Sequence, residues 1–344
     1  MPVSPGHGMA LRAVCLLVLT PWWATACRPA AADHGAALLR TAYTSSVDIG
    51  DLPSLMAHRA LEREGFQVEE TFFAQPELAV QALASGDVDL ASGGVRAFWA
   101  AAARGADLVM LMEHSENGYM LAALPDIGGC RDLDGRTLAL SSRGSLPDAL
   151  GRVFLKRCPD ARPRTIAMPH SGDRLAALEA GAAEAAVLQR ADVARLMKDV
   201  PGRFHTLEAF RETFPDLDFE GVFTSRRFLE QHRPWVLAYV RERLAANRRA
   251  LDTPATLEEE AVQWPAMGRL DADVVAREVA APAWTRDGGV TRVSIAATLA
   301  FFVAAGSLPD QLDSAQLSDL SVLDEARSVL DSSSVASGTT RTQP

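Results

Sequence analysis

The feature that most constrains the fold is a repeated pattern in which a helix ends at a glycine and a strand with an acidic residue follows. It occurs as LASGDVDLA from Leu83 and again as LEAGAAEAA from Leu178. A strand and a polar turn precede the helix in both places, at 73–75 and 168–171. The order of strands and helices also matches over a longer unit around each copy, which predicts two similar α/β lobes with a cleft between them. The alternative is chance likeness between Ala-rich helix–glycine–strand segments.

The second unit contains the stretch 136–157, in which a strand leads into a helix. The apolar run 137–140 predicts a buried parallel strand, and apolar residues return at helical spacing from Leu146. The turn between them, SSRGS, would present backbone N–H groups and hydroxyls at a helix N-terminus, a site for an anionic or strongly polar molecule. The alternative is an ordinary turn, with Ser145 as N-cap and Arg143 in solvent.

The first unit follows the order β-α-β-α-β, which implies parallel strands joined by helices. Its helices are predicted to begin near Asp51, as N-cap, and at Pro76, and its strands to cover 36–42, 66–73 and 88–91. Two later stretches predict crossings between the lobes, 107–124 outward and 219–225 on return, and paired crossing strands permit hinge closure around a ligand. The remaining helices are expected to pack on the first lobe, at 227–249, 256–266, 271–280 and 291–304.

The N-terminus has the pattern of an export signal. Arg12 precedes an apolar run at 13–20, and small residues at 24–26 stand just before Cys27. Cys27 as the first mature residue would be lipidated, whereas ordinary secretory cleavage fits the small residues as well. Translation could start at Met9 instead of Met1.

Length, charge and cysteine content limit the classes of partner and of site that this chain can have. A chain of 344 residues is long enough for two lobes, and a formal net charge of −10 without a basic cluster disfavours nucleic acid. The mature body holds two cysteines, Cys130 before the 137–140 strand and Cys158 after the next helix. A disulfide between them and two free thiols are both open, and the absence of CxxC spacing argues against a redox or zinc role.

The chain resembles the bacterial periplasmic substrate-binding proteins of ABC transporters, in the nitrate/sulfonate/taurine-binding-like branch that also includes thiamine-precursor binders. The resembling text includes LASGDVDLASGG, YMLAALPDIGGCRDLDGRTLALSSRGS, ALEAGAAEAAVL and VFTSRRFLEQHRPWVLAYV. The resemblance implies a type II periplasmic-binding-protein fold of the α/β class, with two Rossmann-like lobes and a ligand cleft. It divides the chain into a signal peptide (1–27), a discontinuous first lobe (28–118 and 219–330), a second lobe (119–218) and a disordered tail (331–344).

The resemblance also implies which loops touch the ligand, those at the strand ends facing the cleft. In the first lobe these residues are Tyr43, Ser45, Ser46, Asp48, Gln75, Ser92, Gly93 and Gly94, and in the second Ser141, Ser142, Arg143, Gly144, Ser145, His170, Ser171, Gln189 and Asp192. Arg143 is the one cation in this set and would pair with a carboxylate, sulfonate or phosphate unless it is solvated. Gly93 and Gly94 would let the backbone approach the ligand, or form a plain tight turn.

No residue pattern indicates catalysis, a cofactor or a metal. The chain has no HExxH, GxSxG or glycine-rich nucleotide loop. His58 with Glu62, and His114 with its glutamate neighbours, are expected on solvated polar faces. The leading hypothesis is capture of a small polar or anionic molecule (a sulfonate, nitrate or thiamine precursor) for an ABC permease, in the periplasm or cell envelope. The alternatives are ligand sensing for a membrane receptor and an exported or biosynthetic enzyme.

Overall fold

The computed structural model describes residues 37–44, 49–73, 75–263, 280, 282 and 284–338. Cys27 and the predicted signal peptide lie outside these ranges, as do Ser45, Ser46 and Asp48. Both lobes belong to one compact unit that begins at Ala36. Among the described residues, no helix is both long and apolar enough to span a bilayer.

Each lobe is built on a five-stranded sheet, and the two sheets have corresponding strand orders. The strands are β1 Leu38–Tyr43, β2 Gln67–Phe72, β3 Leu90–Gly94, β4 Leu108–Glu116, β5 Tyr119–Ala123, β6 Thr137–Leu140, β7 Arg164–Ala167, β8 Ala185–Gln189, β9 His205–Ala209 and β10 Asp218–Ser225. The first sheet has the order β2-β1-β3-β10-β4 and the second the order β7-β6-β8-β5-β9. The first three strands of each are parallel, and the fourth runs antiparallel to both of its neighbours.

Helices cover these sheets and join their strands. They are α1 Leu52–Arg63, α2 Pro76–Ser85, α3 Val95–Ala102, α4 Leu146–Leu155, α5 Ser171–Glu179, α6 Arg190–Asp199, α7 Phe210–Thr213, α8 Arg226–Asp252, α9 Ala255–Ala261, α10 Arg292–Ala304 and α11 Ser321–Gly338. Prolines in the first turns of α1, α2 and α4 suit positions where no N–H is needed. The repeated glycines just after α2 and α5, Gly86 and Gly181, have φ of 83° and 73°, which an L side chain rarely adopts.

Several predicted boundaries are corrected. The strand expected at 88–91 begins later, because the N–H groups of Asp87 and Val88 both bond back to the Ala82 carbonyl. The helix expected at 227–249 is longer and kinked at His232, two residues before Pro234. The helix expected at 271–280 lies almost wholly outside the described residues.

The C-terminal segment packs on the first lobe. α10 contacts β10, and α11 contacts α8 and β4. The outer edge of β4 is covered, since the Met110 N–H donates to the Leu317 carbonyl and the Asp319 N–H donates to the Met110 carbonyl. The predicted disordered tail, 331–344, is corrected for 331–338, because α11 is helical through Gly338, and 339–344 lie outside the described residues. Its first turns are anchored by buried Val322, Leu323 and Ala326.

Candidate functional site

The candidate site is the cleft where the carboxyl ends of the parallel strands of the two lobes meet. β4 passes through Asn117 and Gly118 into β5 of the second lobe, and β10 returns beside β4. The lobes are in direct contact: Lys156 Nζ, just after α4, donates to the carbonyl of Ala304 on α10 at 2.8 Å. The carboxyl ends of parallel strands are where open α/β sheets bind ligands.

The loop after β6 is held in shape by its own hydrogen bonds. Ser141 Oγ donates to the Pro169 carbonyl at 3.0 Å, and Ser145 Oγ donates to the Ser142 carbonyl at 2.7 Å. Ser142 and Arg143 are exposed, so they are the members of this loop that can reach a ligand.

Two of the N–H groups that the sequence predicted to be free, those of Gly144 and Ser145 just before α4, have partners within the chain. The Gly144 N–H donates to Asp148 Oδ2 at 2.8 Å, and the Ser145 N–H donates to the Ser142 carbonyl. Arg152 Nε in turn donates to the Asp148 carboxylate at 2.9 Å. The N–H groups of Gly144 and Ser145 are therefore not available to a ligand, whereas the side chains of Ser142 and Arg143 are exposed.

The other predicted residues of the second lobe lie at the ends of β7 and β8. His170, Ser171 and Asp192 start α5 and α6, and Gln189 is exposed at the end of β8. The Gln189 N–H donates to Ser171 Oγ at 2.9 Å, which joins the two loops.

Tyr43 and Ser92, predicted to face the ligand, are buried in the first lobe with 2% and 4% exposure. The Tyr43 ring stacks on Phe72, with 4.9 Å between ring centroids. Gln75 is exposed at the start of α2, so of these three side chains it alone reaches solvent.

Gly93 is required by packing within the lobe. A Cβ at this position would lie 2.3 Å from Thr44 Oγ1, whereas a Cβ on Gly94 would have no neighbour within 4 Å. The close approach predicted for a ligand at Gly93 is therefore made by the Thr44 side chain.

We expect Gly93→Ala to lower the free energy of unfolding by about 1–3 kcal/mol, because the new methyl group overlaps Thr44. Gly94→Ala is the matched control and should stay within about 0.5 kcal/mol of the parent. Chemical denaturation measures both. Adding Thr44→Ala to Gly93→Ala should recover part of the loss, and equal stability of the two single variants would contradict the packing explanation.

The two histidines expected on solvated faces are buried, with 2% exposure for His58 and 3% for His114. His58 Nδ1 lies 2.5 Å from Glu70 Oε1. His114 Nε2 lies 2.9 Å from Asp51 Oδ1, so Asp51 stands at the N-cap position of α1 without capping it. Each imidazole ring is therefore paired with a carboxylate inside the first lobe. Their expected exposure was wrong because tertiary partners, which helix periodicity does not reveal, offset the cost of burying them.

These histidines do not form a hydrolytic or metal site in the described part of the chain. Ser54 Oγ lies 3.5 Å from His114 Nδ1, which places serine, histidine and Asp51 in the order of a catalytic triad. Ser54 is fully buried, however, so its hydroxyl is closed to a substrate. Within the described ranges, no group of three His, Cys, Asp or Glu side chains is arranged to hold a metal ion.

Carboxyl groups gather where the crossing strands leave the first lobe. Burial raises the pKa of Asp218 to about 7 and that of Glu220 to about 7. Burial also raises the pKa of Glu113 well above its usual value. Glu116 forms an ion pair with Arg211.

A cavity of about 130 Å³ lies beside Glu113, Glu116 and Asp218. A larger cavity, about 610 Å³, lies beyond the outer edge of β4 and away from the cleft.

A family comparison agrees with this arrangement. The model described as "NMT1/THI5 like" matches residues 61–256, which is more than half of the chain. The chain belongs to the NMT1/THI5-like family. A search of curated protein sequences found no significant match.

Solved structures place this NMT1/THI5-like chain in the periplasmic-binding-protein fold. The alkanesulfonate-binding protein SsuA from Xanthomonas axonopodis pv. citri, bound to MOPS, is 20% identical, with TM-score 0.63 over 83% of this chain and 99% of that chain. The aliphatic sulphonate binding protein SsuA from Escherichia coli is 19% identical, with TM-score 0.67 over 82% of this chain and 92% of that chain. The nitrate-binding protein NrtA from Synechocystis PCC 6803 is 12% identical, with TM-score 0.67 over 86% of this chain and 89% of that chain. The predicted fold class is confirmed.

Two arginines at the cleft were missed by the sequence analysis of this NMT1/THI5-like chain. Arg174 is 1% exposed and donates to the carbonyls of Met168, Pro169 and Val187 at 2.6–2.8 Å, which fixes the loop that carries His170. Arg96 is the second residue of α3, and its guanidinium lies close to Gly144 of the second lobe. Both lie in helices, where periodicity alone assigns a charged residue to a solvated face.

Proposed function

We propose that the chain is an exported solute-binding protein that captures a small polar or anionic organic molecule between its lobes and delivers it to an ABC importer. The observation that carries this proposal is the pair of sheets with corresponding order, whose parallel strands end at one cleft crossed by β4–β5 and β10. A site divided between two lobes can close on a ligand and open to release it.

The ligand class is supported by what the similar proteins are said to bind. Their titles name alkanesulfonate, aliphatic sulphonate and nitrate. In this chain the exposed cleft residues Ser142, Arg143, His170 and Gln189 supply donors that suit such a polar or anionic group. We therefore propose a sulfonate, nitrate or thiamine-precursor-like molecule, held noncovalently and not converted.

Location in the periplasm or cell envelope is part of the proposal. It is supported by the N-terminal pattern that predicts an export signal and by the disulfide between Cys130 and Cys158, since such bonds persist in oxidising compartments. Lipidation of Cys27 would hold the protein at the membrane beside its permease partner.

The test is a thermal-shift screen of the exported chain against sulfonates, carboxylates, nitrate, pyrimidines and amines, followed by titration calorimetry of each hit. A ligand at a hundred times its Kd should add about 2.7 kcal/mol to folding stability. We expect one ligand per chain and no product after prolonged incubation. Product formation would favour the enzyme alternative, and a screen without a hit would contradict capture of this ligand class.

A blocked cleft provides the matched control. Ser142→Trp places a large side chain at an exposed position of the β6–α4 loop, so it should abolish binding and leave the melting temperature of the free protein unchanged. Ser328→Trp places the same side chain at an exposed position on α11 and should bind as the parent does. Equal binding by both variants would move the site away from the cleft.

A further inference from the structure

The two crossing strands, β4 and β10, pair irregularly where they leave the first lobe. Asp218 lies opposite Glu116, and the register then shifts twice before Gly221 pairs with Glu113. Irregular pairing bends a strand, so this crossing is where the lobes can turn relative to each other. Two ionised carboxyl groups directly opposite each other would weaken the pairing further.

The cavity of about 130 Å³ at this crossing is lined by more acidic than basic side chains. Among its lining residues in the described part of the chain, the acids are Glu113, Glu116, Asp216 and Asp218, and the base is Arg211. Arg211 pairs with Glu116. No cation of the described ranges forms an ion pair with Glu113 or Asp218. The charge of these two carboxyl groups is therefore uncompensated whenever they are ionised.

Glu113 and Asp218 are also buried, with 6% and 3% exposure. The Glu113 carboxyl group lies against the loop before α10, since a Cβ on Gly289 would stand 1.7 Å from Glu113 Oε2. The Glu113 N–H donates to the Gly288 carbonyl of the same loop at 2.9 Å. Asp218 Oδ2 has no hydrogen-bond partner among the described residues. Water cannot reach either carboxyl group fully unless the crossing loosens, and holding a proton avoids the cost of a buried, unpaired charge.

The surroundings of the two carboxyl groups favour their protonated forms. Burial raises the pKa of Asp218 to about 7, although hydroxyl groups of α10 offset part of the rise. Burial raises the pKa of Glu113 well above its usual value, and the neighbouring acids Asp218 and Glu116 raise it further. Glu220, the next acid of β10, accepts from Ser115 Oγ at 2.8 Å, and burial raises its pKa to about 7 as well. Other charged groups facing these acids come from α7, α8, the loop before α10 and the segments before α1 and β10, and they are Arg211, Arg243, Asp287, Asp51 and Asp216.

We propose that the crossing is a pH-sensitive hinge, which stays packed while Glu113 and Asp218 hold protons and loosens when they ionise. The lobes are in direct contact in this structure, so loosening the crossing favours their separation. The consequence for capture rests on the proposed function: a ligand held between the lobes would be released more readily as pH rises through neutrality.

The direction of the effect follows from where the proton is bound. In the packed crossing the pKa of Asp218 is about 7, whereas in a crossing open to water it returns to an ordinary value of about 3.9. Opening therefore releases a proton, so it becomes easier as pH rises towards 7 and levels off above that pH. Between pH 6 and pH 8 the opening equilibrium should rise about 10-fold from Asp218 alone, and Glu113 and Glu220 add to this rise.

Amide hydrogen exchange of the free protein at pH 6 and pH 8 measures this opening. After correction for the intrinsic effect of pH on exchange, residues 113–118 and 217–221 of the parent should exchange at least about 10-fold faster at pH 8. Asp218→Asn imitates the protonated acid and should reduce this ratio about 10-fold. Glu230→Gln removes an exposed carboxyl group on α8 and is the matched control, which should keep the ratio of the parent.

A second variant and a direct view of the proton guard against misfolding. Glu113→Gln should also reduce the exchange ratio, and circular dichroism melting checks that each variant is folded. In infrared spectra, the parent at pH 6 should show the carbonyl band of protonated carboxyl groups, and this band should shrink by pH 8. The band should be smaller in Asp218→Asn and in Glu113→Gln than in Glu230→Gln at pH 6.

Two results would overturn the pH-sensitive hinge. One is a corrected exchange rate at 113–118 and 217–221 that is equal at pH 6 and pH 8 in the parent. The other is the same exchange ratio in folded Asp218→Asn as in Glu230→Gln. Both are measured without ligand, so either failure leaves the proposed function standing, and a ligand screen without a hit leaves the hinge standing.

Discussion

Loss of the Cys130–Cys158 disulfide is expected to lower the free energy of unfolding by about 3–4 kcal/mol. The bond closes a loop between residues 28 positions apart, and removing it returns that much loop-closure entropy to the unfolded chain. The Cα atoms of the pair lie 5.9 Å apart, a usual separation for a disulfide. Because the loop contains β6 and α4, the loss should fall on the second lobe.

Urea denaturation of the double variant Cys130→Ala with Cys158→Ala, followed by intrinsic fluorescence, measures this effect. Reduction of the parent protein with dithiothreitol should reproduce the loss, and the same reagent should leave the double variant unchanged. Equal unfolding midpoints for oxidised and reduced parent protein would show that the bond adds no stability.

Arg174→Met should lower the free energy of unfolding by about 2–4 kcal/mol and also weaken ligand binding. The guanidinium donates to the carbonyls of Met168, Pro169 and Val187. Methionine would fill much of the same volume, so the main cost is the loss of the hydrogen bonds to these three carbonyls, of which that of Pro169 keeps its bond from Ser141 Oγ. Burial also lowers the pKa of Arg174, and removal of a buried charge offsets part of that cost.

The matched control is Arg203→Met in the same lobe. Arg203 is exposed and donates to one carbonyl, that of Glu179, so its replacement should cost less than about 1 kcal/mol. Amide hydrogen exchange should show faster exchange at 168–171 in Arg174→Met only. Equal losses in the two variants would mean that Arg174 does not hold this loop.

Much of the fold could be predicted because local chemistry and global arrangement agree. The glycines after α2 and α5 mark equivalent points of the two lobes, and the repeat they belong to corresponds to β2-β1-β3 and β7-β6-β8. The short apolar run at 137–140 is a strand with all four residues buried, as its composition indicates. The sequence left the pairing of Cys130 with Cys158 open, and the structure brings their Cα atoms to 5.9 Å.

The candidate site was harder to predict because its side chains are defined by partners far away in the sequence. His114 is buried because Asp51 contacts it from another element, and Gly93 is required by Thr44, which follows the neighbouring strand β1. Helical periodicity assigns Arg96 to a solvated helix surface, whereas the structure places it close to Gly144 of the second lobe. Spacing along the chain carries no information about such pairings, so a position-by-position comparison with a family predicts loops at the strand ends but not these packing roles.

The order of the strands has a consequence for synthesis. The second sheet uses strands from Tyr119 to Ala209 without interruption, whereas the first also needs β10, and its outer edge is closed only by residues around Leu317. As the chain emerges from its N-terminus, the second lobe can therefore fold while the first still waits for its last segment. A product that terminates before Leu317 would have one finished half and one open strand edge, the kind of surface that leads to aggregation or to removal by chaperones and proteases.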